Sequence, residues 1–214
     1  MSAIAVFDAA FRRAAAGTPA SFTVRHPTGG IQRFDTASWC RDALPGDAAL
    51  LGHCTGPTLD VGCGPGRLVA ALASAGLPAL GIDISPTAVR LARRRGATVL
   101  HRDVFDPLPG AGRWRHVLLA DGNIGIGGDP PRLLRRCRRL LAADGQVHTE
   151  LAPPGTTGWS GTAAVHARSG MAGTPLSWAC VPLDDLSALA ASTAMRILDT
   201  RTEAGRWFAT LTPR

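Results

Sequence analysis

The 214-residue chain contains no lysine and no tyrosine, so arginine alone supplies the basic side chains behind its formal net charge of +7. A strongly basic balance can indicate a nucleic-acid partner. Here, however, arginine is abundant together with alanine, glycine and proline, a composition typical of a GC-rich genome. The arginines of residues 131–141 also share one face of a predicted amphipathic helix. We therefore predict no nucleic-acid partner and interpret the charge as solvated surface.

Long apolar segments are also missing. No run reaches the ~18 residues that a membrane-spanning helix needs, and the N-terminus lacks the pattern of a signal peptide. We expect a cytoplasmic protein without a membrane segment.

The five cysteines include no C-x-x-C pair, which predicts neither a disulfide framework nor a metal site. The adjacent His53 and Cys54 are interpreted as structural residues.

The most informative segment reads Leu-Asp-Val-Gly-Cys-Gly-Pro-Gly at residues 59–66. A short apolar strand ends in a glycine-rich turn, which lets the backbone turn sharply and approach a ligand with no Cβ between them. A helix follows, and its free N–H groups face the same place. The dinucleotide fingerprint G-x-G-x-x-G has its third glycine three positions after the second. Arg67 occupies that position here, which argues against a dinucleotide oxidoreductase.

Asp60 stands two residues before the first of the glycines at 62, 64 and 66. This Asp-x-Gly-x-Gly-x-Gly pattern between a strand and a helix resembles motif I of the class I S-adenosylmethionine-dependent methyltransferases. The resemblance implies S-adenosylmethionine as cofactor. Together with the strand–helix alternation from residue 57 onward, it predicts a doubly wound α/β fold of the Rossmann-like methyltransferase type. The expected sheet has seven mostly parallel strands in the order 3-2-1-4-5-7-6, with the last strand antiparallel.

An aspartate stands at or near the end of each of the first four predicted strands, namely Asp60, Asp83, Asp103 and Asp121. Ligands of open α/β sheets bind beyond the carboxyl ends of the strands. The ammonium, the ribose hydroxyls and the adenine amine of S-adenosylmethionine are hydrogen-bond donors, so carboxylates suit this ligand. The same carboxylates would repel the pyrophosphate of a dinucleotide.

The resemblance also implies individual roles. Asp83 would bind the ribose hydroxyls, and Asp103, with Asp106 as a competitor, the adenine amine. The backbone near Asp121 would hold the methionine amine, and Asp60 would anchor either the loop or that amine. The predicted cofactor-binding residues are Asp60, Gly62, Cys63, Gly64, Gly66, Asp83, Ile84, Asp103, Val104, Asp121 and Gly122.

The segment after the fourth predicted strand reads Asp-Gly-Asn-Ile at 121–124. Many methyltransferases of DNA, RNA or protein glutamine have Asn/Asp-Pro-Pro-Tyr/Phe there, and this chain has no tyrosine to stack a flipped base. A small-molecule acceptor is therefore predicted. The alternatives are RNA or protein methylation, or a non-catalytic protein that binds the nucleoside cofactor. The candidate catalytic residues are Asn123 and Glu150, and His148 and His166 are alternative bases.

The chain is predicted to divide into an N-terminal helical extension at residues 1–54, which helps to cover the cofactor, and a methyltransferase domain at 55–214. Apolar residues between 7 and 14 share one helical face, which favours the helix. An insert at about 152–181, with a possible hairpin of 162–168 and 175–181, is expected to shape the acceptor pocket. Its candidate apolar walls are Trp159, Met171 and Trp178.

Overall fold

The computed structural model describes residues 2–18, 20–167 and 173–214. The elements before the glycine motif are α1 (Ala3–Ala15), β1 (Ser21–Arg25), β2 (Ile31–Asp35), α2 (Thr36–Trp39) and α3 (Asp47–Leu51). The alternating part comprises β3 (Thr58–Val61), α4 (Arg67–Ser74), β4 (Ala79–Asp83), α5 (Pro86–Arg94), β5 (Val99–His101), β6 (Trp114–Leu119), a 3₁₀ segment (Asn123–Gly128), α6 (Pro130–Leu140) and β7 (Leu141–Leu151). The remainder comprises β8 (Trp159–His166), β9 (Thr174–Cys180), a 3₁₀ turn (Leu183–Asp185), α7 (Leu186–Ser192), β10 (Met195–Glu203) and β11 (Arg206–Pro213).

The main sheet has seven strands in the order β10-β11-β7-β6-β3-β4-β5. Strand β11 runs antiparallel to both of its neighbours, and the pairs from β7 to β5 are parallel. When the strands are counted from β3 without the insert, this order is 3-2-1-4-5-7-6. The predicted doubly wound α/β fold is therefore confirmed.

The local signals of the sequence explain most of these elements. All four residues of β3 are buried, as expected of a central strand in a parallel sheet that is covered on both faces. Helix α5 begins as predicted, with Pro86 at its first position and the Ser85 hydroxyl accepting a hydrogen bond from the Ala88 N–H at 3.0 Å. Residues 143–145 lie inside β7, where the register with β6 shifts.

Helix α6 has the amphipathic character that its sequence predicts. Its apolar side chains at positions 133, 134, 137 and 140 are buried, whereas most of its arginines face solvent. Arg136 bends back, and its guanidinium donates to the carbonyl oxygens of Val104 (2.8 Å) and Asp106 (2.6 Å). Among the described residues, no helix is both long and apolar enough to cross a membrane.

A second sheet joins the N-terminal segment to the insert. It is antiparallel, with the order β2-β1-β8-β9. The prediction of a helical extension holds for α1 to α3 but is wrong for β1 and β2, which form a hairpin. Phe22 and Val24 of β1 are buried in the core of this small sheet. The strand is short, and its partner β8 lies far along the chain, so the local pattern did not indicate it.

The insert contains the predicted hairpin, because β8 and β9 pair in antiparallel register from Trp159↔Cys180 to Val165↔Thr174. Met171, a candidate wall residue, lies outside the described residues. The insert thus reaches over the main sheet and pairs with β1, at Val24↔Val165. Two segments distant in sequence form one layer beside the glycine motif.

Candidate active site

The loop at 62–66 connects β3 to α4. Two of its glycines have different structural roles. Gly66 has φ +81°, and a Cβ there would lie 2.7 Å from the Cβ of Ala92, so this glycine lets α4 and α5 approach each other. Gly64 has φ +53°, and a Cβ there would meet within 4 Å only the Phe11 ring, at 4.0 Å. Its backbone therefore faces open space, and this space is a cavity.

The cavity lies at the carboxyl ends of β3, β4 and β6. Its lining includes nine of the predicted cofactor-binding residues: Asp60, Gly62, Cys63, Gly64, Asp83, Ile84, Asp103, Val104 and Asp121. Gly66 and Gly122 are not part of the lining that the structure describes. Most of the residues that the sequence singled out therefore border one cavity, and Gly66 acts in helix packing behind it.

Asp60 is the most deeply buried acid of the cavity, with 2% of its surface exposed. Among the described residues, no hydrogen bond reaches its carboxylate. Burial raises the pKa of Asp60 to about 7; Arg67 opposes the rise, and Asp121 adds to it. A buried carboxyl group without a partner is costly, so a hydrogen-bond donor or cation from a ligand would be stabilising here.

Asp83 lies at the end of β4 and connects two backbone segments. One carboxylate oxygen accepts from the Gly64 N–H at 2.8 Å, and the other accepts from the Ser85 N–H at 2.7 Å. Burial raises the pKa of Asp83, although both of these hydrogen bonds favour the ionised form. The neighbouring Ile84 is 44% exposed, and its apolar side chain borders the same cavity.

Asp103 and Val104 border the cavity after β5. Asp103 is exposed, and its carboxylate accepts from the Phe105 N–H at 2.9 Å, whereas Val104 is 3% exposed. Asp106, the competing acid, is not among the lining residues that the structure describes. The geometry therefore favours Asp103 over Asp106 as the acid of this part of the site.

Beside the cavity lies a charged cluster of five side chains: Asp47, Arg67, Asp121, Glu150 and Arg206. Arg67 is 4% exposed and binds Asp47 and, at 2.7 Å, Asp121. Arg206 binds Asp47 at 2.9 Å, Asp121 at 3.2 Å and Glu150 at 2.7 Å. Two guanidinium groups thus hold three carboxylates from α3, β7 and the loop after β6.

The cluster corrects the interpretation of Glu150 as a catalytic base. One oxygen of Glu150 accepts from Arg206 Nε at 2.9 Å, and the other accepts from Arg206 Nη2 and from the Asp121 N–H, both at 2.7 Å. Glu150 also lies outside the described cavity lining. Strand alternation correctly places it near the strand end, but Arg206 on the neighbouring β11 engages both oxygens.

Asn123, the other catalytic candidate, lines the cavity but holds the glycine loop. Its side-chain amide donates to the carbonyl oxygens of Val61 (2.9 Å) and Gly62 (3.0 Å). A Cβ on Gly62 would lie 2.7 Å from this amide nitrogen. Asn123 thus connects the loop after β6 to the loop after β3.

The alternative base His148 is buried in the core. It forms hydrogen bonds with His116 at 3.0 Å and with the Thr210 hydroxyl at 3.1 Å. Burial and the neighbouring His116 lower the pKa of His148 to about 3, so the ring is neutral at physiological pH. The other alternative, His166, lies in β8 and not among the described lining residues.

The family described as "Methyltransferase domain" matches residues 58–145, from β3 into β7. Across nearly the whole chain, the fold is similar to that of an S-adenosylmethionine-dependent methyltransferase from Bacteroides fragilis, solved with S-adenosyl-L-homocysteine. The TM-score is 0.77 at 22% identity, over 97% of this chain and 94% of that chain. The matched domain therefore contains the glycine loop and all four strand-end acids. The central part of the chain is therefore similar to a methyltransferase domain.

Other proteins that are similar to this chain differ in what they act on. A 1,6-didemethyltoxoflavin-N1-methyltransferase from Burkholderia thailandensis, solved with 1,6-didemethyltoxoflavin and S-adenosylhomocysteine, has a TM-score of 0.59 at 19% identity, over 83% of this chain and 79% of that chain. An ATP synthase lysine N-methyltransferase of Rattus norvegicus is 46% identical over 46 residues, 22% of this chain. The matched segment spans about a fifth of that relative (21%).

The cavity fits S-adenosylmethionine, the cofactor that the sequence predicts, on structural grounds. The unpartnered Asp60 carboxylate suits the ammonium of the amino-acid part. The open backbone at Gly64 provides room for a ligand at the helix start. The carboxylate of Asp83, which faces the cavity beside Ile84, is an acceptor for hydroxyl groups.

Aromatic side chains from outside the matched domain form the opposite wall of the methyltransferase cavity. They are Phe7 and Phe11 of α1, Phe22 and Phe34 of the hairpin, Trp39 of α2 and Trp178 of β9. The rings contact one another, with centroids 5.3 Å apart between Phe22 and Phe34 and 5.9 Å between Phe34 and Trp39. Trp159 instead stacks on His26 at 5.1 Å and is not part of the described lining.

Sequence reasoning missed the wall's full extent and the charged cluster. Asp47 and Arg206 carry no local motif, because their partners are distant in sequence. Arg67 offered a signal, since it is the only charged residue at the start of an otherwise apolar helix, Arg-Leu-Val-Ala-Ala-Leu-Ala-Ser. A charged side chain in that position is expected to be paired when it is buried.

Proposed function

We propose that this enzyme transfers the methyl group of S-adenosylmethionine to a small, largely apolar acceptor. The observation that carries the proposal is a single cavity with two chemically different walls. One wall consists of strand-end carboxylates and bare backbone, and the other consists of aromatic rings. A polar nucleoside cofactor fits the first wall, and an apolar ring system fits the second.

We assign a part of the cofactor to each acid of the polar wall. Asp60 pairs with the methionine ammonium, with the backbone at 62–64 and at 121–122 around it. Asp83 binds the ribose hydroxyls, while Asp103, Val104 and Ile84 surround the adenine. These assignments follow the order of the strand ends along the sheet, β6-β3-β4-β5. They are supported by the cavity lining and by the absence of any described donor to Asp60.

The cofactor supplies a methyl group on a positively charged sulfur. The protein contributes alignment and the exclusion of water, which can lower the barrier by roughly 7–11 kcal/mol. Glu150 is held by Arg206, so it is not free to act as a base, and the amide of Asn123 holds the glycine loop. We infer that the acceptor presents a nucleophile that is already unprotonated at neutral pH, such as a neutral ring nitrogen.

We further propose that residues 1–54 and the insert at 152–181 act together as the cover of the domain at 55–214. Helix α1 is fixed over the cofactor wall, because the Asp8 carboxylate accepts hydrogen bonds from the Ser85 hydroxyl and, at 3.2 Å, from the Thr87 N–H. A fixed cover favours a small acceptor over a protein or RNA chain.

A location in the cytoplasm stays a prediction, which the five free cysteines support.

The proposed activity is tested by incubating the enzyme with radiolabelled S-adenosylmethionine and three acceptor pools. These are planar nitrogen heterocycles, total RNA and a denatured protein extract. We expect label in the heterocycle pool. Label that enters only RNA or protein would overturn the small-molecule assignment, and no transfer to any pool despite cofactor binding would favour the non-catalytic alternative.

The aromatic wall predicts that a substitution in it changes the acceptor KM but not the affinity for the cofactor. Replacing Phe34 by alanine should raise the acceptor KM by about tenfold, because roughly 1.5 kcal/mol of aromatic contact is lost. The dissociation constant of S-adenosylhomocysteine should stay unchanged. Ile31→Ala is the matched control, since Ile31 lies on the same strand but is 59% exposed. An equal effect of both variants would contradict the assignment.

The raised pKa of Asp60 predicts that cofactor binding depends on pH. Burial raises the pKa of its carboxyl to about 7 in the free protein; Arg67 lowers it, and Asp121, Asp83 and Asp47 raise it further. A cationic ammonium stabilises the ionised form, so binding must release a proton below pH 7. Calorimetry should show the affinity for S-adenosylhomocysteine falling by up to about tenfold per pH unit below 7. Asp60→Asn should bind more weakly and lose this slope, whereas Asp106→Asn should retain it.

The same pKa shift has an opposite consequence for stability. A raised carboxyl pKa means that the folded chain holds the proton more tightly than the unfolded chain does, whose value is near 3.8. The contribution of Asp60 to the free energy of unfolding therefore falls as the pH rises from about 4 to 7. Protonation of Asp60 at low pH thus stabilises the folded chain, whereas it weakens cofactor binding.

A further inference from the structure

Three side chains that commonly bind metals converge in the core, outside the cofactor cavity. Cys54 precedes β3, His116 lies in β6 and His148 lies in β7, and all three are buried. One ligand atom of each lies within 4.8 Å of the other two. None of the three belongs to the lining that is described for the cofactor cavity.

We propose that Cys54, His116 and His148 bind a structural Zn²⁺ ion. A thiolate and imidazole nitrogens are the ligands that zinc prefers, at about 2.3 Å for sulfur and about 2.0–2.1 Å for nitrogen. Tetrahedral geometry at these lengths separates two nitrogen ligands by about 3.3 Å. His116 Nδ1 and His148 Nε2 are 3.0 Å apart, so these two nitrogens separate by only a few tenths of an ångström when the rings turn towards the ion. The Cys54 sulfur, which lies within 4.8 Å of a nitrogen of each ring, moves closer to them.

Hydroxyl oxygens that can accept a hydrogen bond lie near the outward nitrogens of both rings. A ligating histidine normally donates its other N–H to an oxygen acceptor. His148 Nδ1 lies 3.1 Å from the Thr210 hydroxyl, and His116 Nε2 lies 3.3 Å from the Thr55 hydroxyl. The fourth position is left for water or for His53, whose ring centroid lies 5.7 Å from that of His148.

The same side chains are also hydrogen-bonded without an ion. The Thr55 N–H donates to His116 Nε2 at 3.1 Å, so the proton of this neutral ring is on Nδ1, facing His148 Nε2. Zinc binding moves that proton to Nε2, where the Thr55 hydroxyl accepts it. The Cys54 thiol releases its proton to solvent when its sulfur binds the ion. Because the metal-free arrangement is complete, the chain can fold without zinc and be titrated afterwards.

Two features limit the affinity of the site. The ion and one thiolate leave a net positive charge in the core, and Arg201, which donates to the Thr210 hydroxyl at 2.9 Å, lies next to it. The Thr55 N–H also loses its acceptor when His116 Nε2 gains a proton. We therefore expect weaker binding than at a site with four protein ligands, and a role in joining the loop before β3 to β6 and β7.

The test is a titration of the chelator-treated full-length protein with Co²⁺ alone, a spectroscopic substitute for zinc. The expected result is one equivalent bound, with a near-ultraviolet thiolate-to-cobalt charge-transfer band that Zn²⁺ removes. Zinc should also raise the Tm by several degrees. The absence of a charge-transfer band in the wild type would overturn the proposal, whatever the behaviour of any variant.

Two cysteine variants identify the ligand. Cys54→Ser should lose the charge-transfer band, and Cys40→Ser, a matched change at another free cysteine, should keep it. Binding of S-adenosylhomocysteine serves as the folding control, because Cys54 does not line the cofactor cavity as described. A band that persists in Cys54→Ser, or disappears in Cys40→Ser, would contradict the assignment.

Discussion

Replacing Arg206 by methionine is expected to lower the free energy of unfolding by about 3–5 kcal/mol, the cost of breaking a buried ion pair from one side. Its guanidinium contacts Asp47, Asp121 and Glu150. Arg67 alone cannot compensate three carboxylates, and a charge buried without a partner is more costly than the pair was worth. Urea unfolding monitored by circular dichroism measures the loss.

An exposed ion pair provides the comparison for Arg206. Arg115 binds Asp144 at 2.9 Å, but their side chains are 49% and 68% exposed, so Arg115→Met should cost no more than about 1 kcal/mol. Adding Glu150→Gln to the Arg206 variant should restore part of the loss, because glutamine removes the unpaired charge and still accepts from the Asp121 N–H. Equal losses for Arg206→Met and Arg115→Met would show that the cluster does not stabilise the fold.

The second large effect concerns the cofactor. Asp83→Ala should weaken the binding of S-adenosylhomocysteine by about 10–100-fold, since hydrogen bonds to a charged group contribute about 1.5–3 kcal/mol. The variant loses the acceptor for the ribose hydroxyls and also the two backbone contacts that position the loop, from the Gly64 and Ser85 N–H groups. Isothermal calorimetry at pH 8, where Asp60 is ionised, gives the dissociation constants.

The control for Asp83 is Asp106→Ala, which removes an exposed acid that borders no part of the described cavity. Its affinity should equal that of the wild type. Asp103→Ala adds a third comparison and should weaken binding less than Asp83→Ala, because Asp103 is exposed and its contribution is screened. Unchanged affinity in the Asp83 variant would remove this residue from the proposed site.

The fold was predictable to the extent that its signals are local. The short apolar segment before the glycines forms β3 at 58–61, and Ser85 with Pro86 starts α5. The small sheet was not predictable in this way. Its central pairing joins Val24 to Val165, and alternation over five residues does not specify a partner so far along the chain.

The same distinction holds at the candidate site. Asp60, Asp83 and Asp103 border one cavity. Their positions at strand ends were sufficient to expect this, because parallel strands end at the same edge of the sheet. The roles of Asn123 and Glu150 depend on which side chains arrive from neighbouring elements. Glu150 meets Arg206 only because β11 returns antiparallel beside β7, and no local spacing specifies that encounter.

The pairing of β1 with β8 also orders events during synthesis. On the ribosome, β1 and β2 emerge long before β8 exists, and a two-stranded hairpin is at best marginally stable in water. The edge of β1 that pairs with β8 in the finished molecule therefore stays unpaired until the strand at Trp159–His166 has been translated. The chamber in which an acceptor would be enclosed is for this reason completed late in the biogenesis of the chain, after the strands β3 to β7 have been made.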